Sequence, residues 1–279
     1  MANIGAAQVK ALRDKTGAGM MECKRALVET EGDSDRAGQL LRERGIVKAS
    51  KRVGRATSEG RIAASVSPDS RVAALVELNC ETDFVAKTDE YGKLCQHCAE
   101  VARDQAPASI DELHSAVEAE LTDAMAKMGE NIQLRRMDRI EAPENGAVWS
   151  YVHAGGKIGT LVRVEADDLS ADAVKTLAHN VCMHVAAAGP SSLSRDDLPP
   201  DVVESERGVL TRQAEQEGKP AQIVAKMVEG RMSRFFKEVV LLEQQLVMDP
   251  DSTVGAAAEH AGARVTGFRR LQLGEEIEG

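Results

Sequence analysis

Two cysteines flank a histidine in Cys95-Gln96-His97-Cys98, a spacing that could carry thiol–disulfide exchange or supply half of a zinc site. A tetrahedral metal site needs a second pair, and no further CxxC occurs. The run also lies in a helical pattern with Leu94, Val101 and Ala102, where a free cysteine packs as a small apolar side chain. His179, Cys182 and His184 stand at i, i+3 and i+5, positions that wrap around a helix and do not converge on one ion. Packing is the reading for both groups. Thr16-Gly17-Ala18-Gly19 resembles a phosphate cradle, but it follows a helix and lacks the Lys-Ser or Lys-Thr ending, so it reads as a turn between helices. There is no glycine-rich loop after a strand, no nucleophile elbow and no HExxH, and these gaps lower the case for an enzyme with its own covalent chemistry.

One remaining run combines a turn with an unusual side chain. Asn79-Cys80-Glu81-Thr82-Asp83-Phe84-Val85-Ala86-Lys87 lies where a strand ends and a helix begins; such turns are surface features and hold binding residues more often than cores do. Thr82 or Asp83 can cap the helix, with Phe84 pinning the turn to the core. Yet the chain has only 4 phenylalanines and 3% aromatic residues, and the sister turn Glu165-Ala166-Asp167-Asp168-Leu169 has no aromatic at all. A scarce ring at this turn is more than a cap requires.

The elements around this run are predicted from periodicity. Residues 4–45 read as three short helices, the first ending near Lys15, the second from Met20 to Glu31 and the third from Ser34 to Arg44, with Gly45 as its stop. Val9, Leu12, Met21, Leu27, Ala37, Leu40 and Leu41 can form one miniature core, as in a domain of the ubiquitin-associated kind. The seven basic residues between Arg42 and Arg61, namely Arg42, Arg44, Lys48, Lys51, Arg52, Arg55 and Arg61, read as a solvated linker. No aromatic residue interleaves them to stack on bases.

Beyond the linker the chain repeats itself. Ala73–Leu78 is a strand followed by a helix around Leu94 and Cys98; Thr160–Val164 is a strand followed by a helix around Leu177 and Val181. Each unit closes on a similar strand, Ile132–Arg136 in the first and Gly267–Leu271 in the second. The expected class is α+β: an N-terminal three-helix unit and basic linker (residues 1–55), a core N-subdomain (56–141), and a related core C-subdomain (142–187 and 234–279). The second subdomain is interrupted by a helical hairpin (188–233), with helices expected from Asp201 to Glu217 and from Ala221 to Arg234. The hairpin's apolar residues are too few for a self-sufficient domain, so it must lean on the core or on another chain.

With 279 residues, 43% of them hydrophobic, the chain can bury a core without staples. Its formal net charge of -10 argues against a general nucleic-acid binder. No apolar run reaches membrane-spanning length and the amino terminus lacks a secretory pattern, so a cytoplasmic location is expected. The five cysteines are odd in number, and reduced thiols without a disulfide are expected.

The run 79–87 resembles the TDFV signature of the elongation factor Ts family. The likeness extends in order through residues 1–53, including Thr16–Lys24 (TGAGMMECK), and through Gly129-Glu130-Asn131-Ile132, Ser150-Tyr151-Val152-His153, Met183-His184-Val185-Ala186-Ala187 and Met227-Val228-Glu229-Gly230-Arg231-Met232. The resemblance implies a nucleotide exchange factor for elongation factor Tu, without covalent catalysis, cofactor or metal of its own. It implies that Asp83 and Phe84, framed by Thr82 and Val85, enter the GTPase beside its Mg²⁺. It further implies that Lys10, Arg13, Met20 and Met21 grip the partner's nucleotide-binding domain, that His153 meets its remote β-barrel, and that the hairpin serves a homodimer. Some relatives continue into an extra carboxy-terminal helix beyond the point matching Gly274-Glu275-Glu276, and that contact is expected to be missing here.

Overall fold

Three helices open the chain: α1 (Ala6–Thr16), α2 (Met20–Glu29) and α3 (Ser34–Ser50). Strands β1 (Glu59–Val66) and β2 (Val72–Cys80) follow, then the four-residue helix α4 (Asp83–Ala86), helices α5 (Asp89–Gln105), α6 (Ile110–Ala116) and α7 (Glu118–Met128), and strand β3 (Ile132–Glu141). The second half runs β4 (Gly146–His153), β5 (Ile158–Ala166), α8 (Asp172–Ala188), the long helices α9 (Pro200–Gln216) and α10 (Ala221–Val239), a small ribbon β6 (Gln245–Leu246) and β7 (Asp249–Thr253), helix α11 (Val254–His260) and β8 (Ala263–Gln272). The computed structural model describes residues 4–276, apart from the side chains of Ile46 and Lys48; the expectations touching Lys48, residues 1–3 and residues 277–279 lie outside it.

The class is α+β with antiparallel sheets. One sheet has the order β1-β2-β3 and the other β4-β5-β8. Each central strand carries a register shift two-thirds of the way along, at Glu77/Leu78 in β2 and at Arg163/Val164 in β5, so the repeat read in the sequence reaches down to a bulge. The sequence reading places no strand before Ala73 or before Thr160; β1 and β4 supply them and complete a strand-strand-helix-strand unit on each side.

Burial along β2 explains how the units meet. From Ala73 to Cys80 every residue is buried, which requires cover on both faces. Ala74, Val76, Leu78 and Cys80 pack with Tyr91, Cys95 and Cys98 of α5 and with Leu121 and Met125 of α7. Ala73 and Leu75 point the other way, into a cluster shared with Val148, Leu161 and Leu271 of the second sheet. Val162, Val164 and Ala166 face α8 and α11. The layers are therefore helix, sheet, sheet, helix. At Gly159 the sheets approach so closely that an added Cβ would lie 2.5 Å from Ile62 Cγ2.

A buried ionic staple also joins the units. Glu77 is fully buried and accepts from Arg135 Nη1 at 3.0 Å, Arg136 Nε at 2.6 Å and the Gly274 N–H at 3.1 Å. Burial alone would raise its carboxyl, but the Gly274 N–H and the two guanidinium groups outweigh it and hold the group below the usual range. Gly274 belongs to the second unit and the arginines to the first, so the carboxylate ties one to the other.

The opening helices differ from expectation in two places. Helix α3 does not stop at Gly45 but continues to Ser50. A Cβ on Gly45 would sit 3.0 Å from Ala126 Cβ of α7, so this glycine marks a close helix contact and not a terminus. The basic segment is accordingly docked: Arg52 Nη1 donates to the Met125 carbonyl at 3.1 Å, and the Arg55 carbonyl accepts from Asn131 Nδ2 at 2.8 Å. The miniature core is built from Val9, Leu12, Cys23, Ala26, Leu27 and Ala37, flanked by Leu40 and Leu41. Met21 is not in it; on α2 the inward positions are Cys23, Ala26 and Leu27, one helical face that excludes residue 21.

Helix α10 runs on to Val239, five residues past the expected Arg234. Ala214, Val224, Val228 and Met232 are buried between α9 and α10, with Phe235 and Phe236 packed against them. The Arg195 guanidinium stacks 4.3 Å from the Phe236 ring centroid, and the Leu241 N–H donates to the Ser192 carbonyl at 2.8 Å. These contacts close the base of the pair against the second unit.

Candidate functional site

The turn after β2 is held by every polar group of Thr82. Its N–H and Oγ1 both donate to the Glu130 carboxylate, at 2.9 and 2.5 Å, and its carbonyl accepts from Cys80 Sγ at 3.2 Å. The hydroxyl oxygen also receives the Val85 N–H at 3.4 Å, so Thr82 is the N-cap of α4. Glu81 accepts from the Asn131 N–H at 2.7 Å and from Arg55 Nη1 at 3.4 Å. On the far side Thr88 caps α5 through the Tyr91 N–H at 3.2 Å and donates to the Val85 carbonyl at 2.8 Å. Tyr91 is buried with its hydroxyl on the Leu78 carbonyl at 2.6 Å.

Within this frame Phe84 stands out into solvent and Asp83 is half-exposed beside it. Asp83 pairs with Lys87 at 2.5 Å, one helical turn later; the Lys87 ammonium hydrogen-bonded to it holds its carboxyl below the usual range, and Lys157 adds to the pull. Phe84 is 80% exposed. The ring therefore does not pin the turn to the core, as a purely structural role requires; Thr82, Glu130 and Thr88 do that instead. Sequence reasoning selected Thr82, Asp83, Phe84 and Val85, and the fold brings them together on one short helix with its cap. It missed Glu130 as their support, because the two segments are 48 residues apart and only a pairing of chain segments brings them into contact.

The other selected residues occupy different surfaces. Lys10 and Arg13 are exposed and three apart on α1, hence neighbours on one face. Met20 and Met21, in the first turn of α2, are 48% and 62% exposed; both stand at the surface. His153 ends β4, exposed, with Nδ1 2.7 Å from the Tyr151 hydroxyl. The turn after it packs on β1: the Gly156 carbonyl accepts from the Ile62 N–H at 2.7 Å, and Lys157 Nζ reaches Glu59 at 2.8 Å. Because Glu59 pairs in register with Cys80 and Lys157 acts on Asp83, the His153 turn and the Asp83 turn lie at the same end of the double sheet.

The sulfur and imidazole groups have structural settings. All five cysteines are free and buried; burial pushes the Cys98 and Cys182 thiols up to about 12 and raises Cys95 as well, which suppresses the reactive thiolate. His184 donates from Nε2 to Gln244 Oε1 at 2.9 Å and receives the Val247 N–H on Nδ1 at 3.2 Å. That pattern demands the neutral ring, and burial lowers its basicity in agreement. No group of three or more metal-ligating side chains converges, and no helix is long and apolar enough to cross a membrane, among the described residues.

The turn is thus pinned from beneath and offers an aromatic ring to solvent. The model of the family described as Elongation factor TS matches residues 81–275, beginning at the turn itself. The chain belongs to the elongation factor Ts family. Its likeness to individual elongation factor Ts proteins covers almost the whole length, including the opening helices that the family model leaves out. It is 43% identical to "Elongation factor Ts" of Thioalkalivibrio sulfidiphilus over 99% of this chain and 94% of that protein. It is 45% identical to that of Alkalilimnicola ehrlichii, again over 99% and 94%, and 42% identical to that of Symbiobacterium thermophilum over 100% and 94%.

Proposed function

We propose that this chain releases GDP from elongation factor Tu by inserting Asp83 and Phe84, framed by Thr82 and Val85, next to the Mg²⁺ that the GTPase holds. The observation that carries the reading is the exposed Phe84 ring on a turn fixed from beneath. A GTPase retains its nucleotide through phosphate-cradling amides, a lysine and Mg²⁺. A ring driven between the supporting elements disturbs that coordination without any covalent step. Because the turn is already ordered, little of the ring's binding energy is spent on arranging it.

Lys10, Arg13, Met20 and Met21 serve in this reading as the grip of a ubiquitin-associated-like unit on the partner's nucleotide-binding domain, with exposed methionines adapting to its surface. His153, at the same end of the double sheet as the turn, faces the partner's distant β-barrel. The pair α9–α10 forms the contact of a homodimer. The division into residues 1–55, 56–141, 142–187 with 234–279, and 188–233 assigns one of these tasks to each part.

Thermodynamic reciprocity supplies the test. If the chain weakens nucleotide binding to the GTPase, GDP must weaken the chain's own binding by the same factor. Titration calorimetry of purified elongation factor Tu with this chain, at several GDP and Mg²⁺ concentrations, should find affinity falling as GDP rises and falling further with excess Mg²⁺. Tight binding indifferent to GDP would mean a docking protein and not an exchange factor.

A further inference from the structure

The segment Gly129-Glu130-Asn131 connects α7 to β3 and touches two separate parts of the molecule, the Glu81–Thr82 turn and the chain leaving α3. Gly129 ends α7 in a left-handed conformation (φ 81°), turning the chain toward the Glu81–Thr82 turn. Glu130 takes both donors of Thr82. The Asn131 N–H bonds Glu81, and its side-chain amide bonds the Arg55 carbonyl. Arg55 in turn reaches back to Glu81 at 3.4 Å. Asn131 is buried, so its pairing with the chain leaving α3 is not a loose surface contact.

We propose that Glu130 is a positioning residue for nucleotide exchange: it fixes the Asp83–Phe84 turn for insertion while contacting no partner atom itself. This inference rests on the exchange reading above. The other anchors act on the flanks of the turn: Glu81 accepts from the Asn131 N–H and Arg55 before it, and Thr88 donates to the Val85 carbonyl after it. Helix α4 is a single turn, too short to be stable alone, its Phe84 contributes little burial, and the Asp83–Lys87 pair lies at the surface, where such pairs hold little. The two Glu130 bonds are charge-assisted and directed at adjacent donors, the geometry that restricts a backbone segment most. Without them the Thr82 N–H loses its partner and Phe84 samples orientations that do not enter the GTPase.

The placement predicts a division between encounter and release. Docking through the opening helices and the second unit does not involve Glu130, so the half-saturating concentration should change little on its removal. The rate of release from the docked complex should fall. A glutamine keeps an acceptor for the Thr82 N–H and a partner for its hydroxyl, so it should restore most of the function; an alanine cannot.

The experiment measures fluorescent-GDP release from elongation factor Tu with this chain in excess over a wide concentration range. The wild-type protein, Glu130→Ala, Glu130→Gln and Thr82→Val are compared. Glu130→Ala should lower the saturating release rate about tenfold or more, the change that ~1.4 kcal/mol represents, with half-saturation within about threefold and Glu130→Gln within about threefold of wild type in both, a span of ~0.65 kcal/mol. A saturating rate is insensitive to a reduced folded fraction, so general destabilisation does not imitate this result. Thr82→Val, which removes the hydroxyl alone, should add little to Glu130→Ala in the double variant. Wild-type-like saturating release by Glu130→Ala, or equal losses in Ala and Gln variants, would overturn the assignment. Failure of the wild-type chain to accelerate release would instead overturn the exchange reading itself.

Discussion

Phe84→Ala should separate binding from folding more cleanly than any other single change in this protein. Four-fifths of the ring is exposed, so truncation removes almost no native packing and stability should stay within about 0.5 kcal/mol of wild type. The same exposure sets what the ring can gain in a complex. Burying a phenylalanine completely is worth ~1.5–3 kcal/mol, and four-fifths of that is ~1.2–2.4 kcal/mol, or roughly 8- to 60-fold in rate or affinity. Stopped-flow release of fluorescent GDP from elongation factor Tu reads the loss, and thermal unfolding by circular dichroism reads the fold. Unchanged release with an unchanged melting point would refute the role of the ring. A large drop in melting point would refute the premise that Glu130, Thr82 and Thr88 hold the turn without it.

Two further outcomes follow from other parts of the chain. His184 is buried as the neutral ring and its basicity is lowered from the ordinary 6.5; the unfolded chain therefore binds the proton more readily, and stability present above pH 6.5 is lost as pH falls toward the folded value, by up to about 1.4 kcal/mol per pH unit. Denaturant midpoints across pH 5–8 should show this slope, and His184→Gln should flatten it; an equal slope in both proteins would remove His184 as its source. Replacing Pro200 to Arg231 with a short glycine-serine linker keeps the Ser192–Leu241 pairing and should lower self-association while GDP release persists. Equal sedimentation mass before and after the replacement would show that α9–α10 is not the dimer contact.

Which features were legible in the sequence depended on the range of the interaction behind them. The turn was visible because its signals are local: Thr82 three residues before Val85 is a cap, and a lone phenylalanine among polar neighbours is conspicuous. The repeat was visible because two central strands and their helices share one hydrophobic pattern. Gly45 misled because a helix-weakening residue also permits close approach, and the approach of Ala126 is 81 positions away in sequence. The preference for stopping is worth only about 1 kcal/mol, and α3 continues through Gly45 packed on α7. Met21 misled because helical spacing gives faces but does not say which face is inward. The small Cys23 and Ala26 let α2 sit close to its neighbours, and both methionines were left outside. The supports of the turn were invisible for the same reason as Gly45: no pattern within 79–87 points to Glu130.

The buried Glu77 staple and the cluster between the two sheets make a single stiff body of the two units. The Asp83 and His153 turns stand at one end of that body at a set separation, like the jaws of a locked caliper. A locked caliper cannot adjust its gap to what it measures. A partner that touches both turns must then supply the movement itself, and the entropy lost on forming the complex falls mainly on the partner's side.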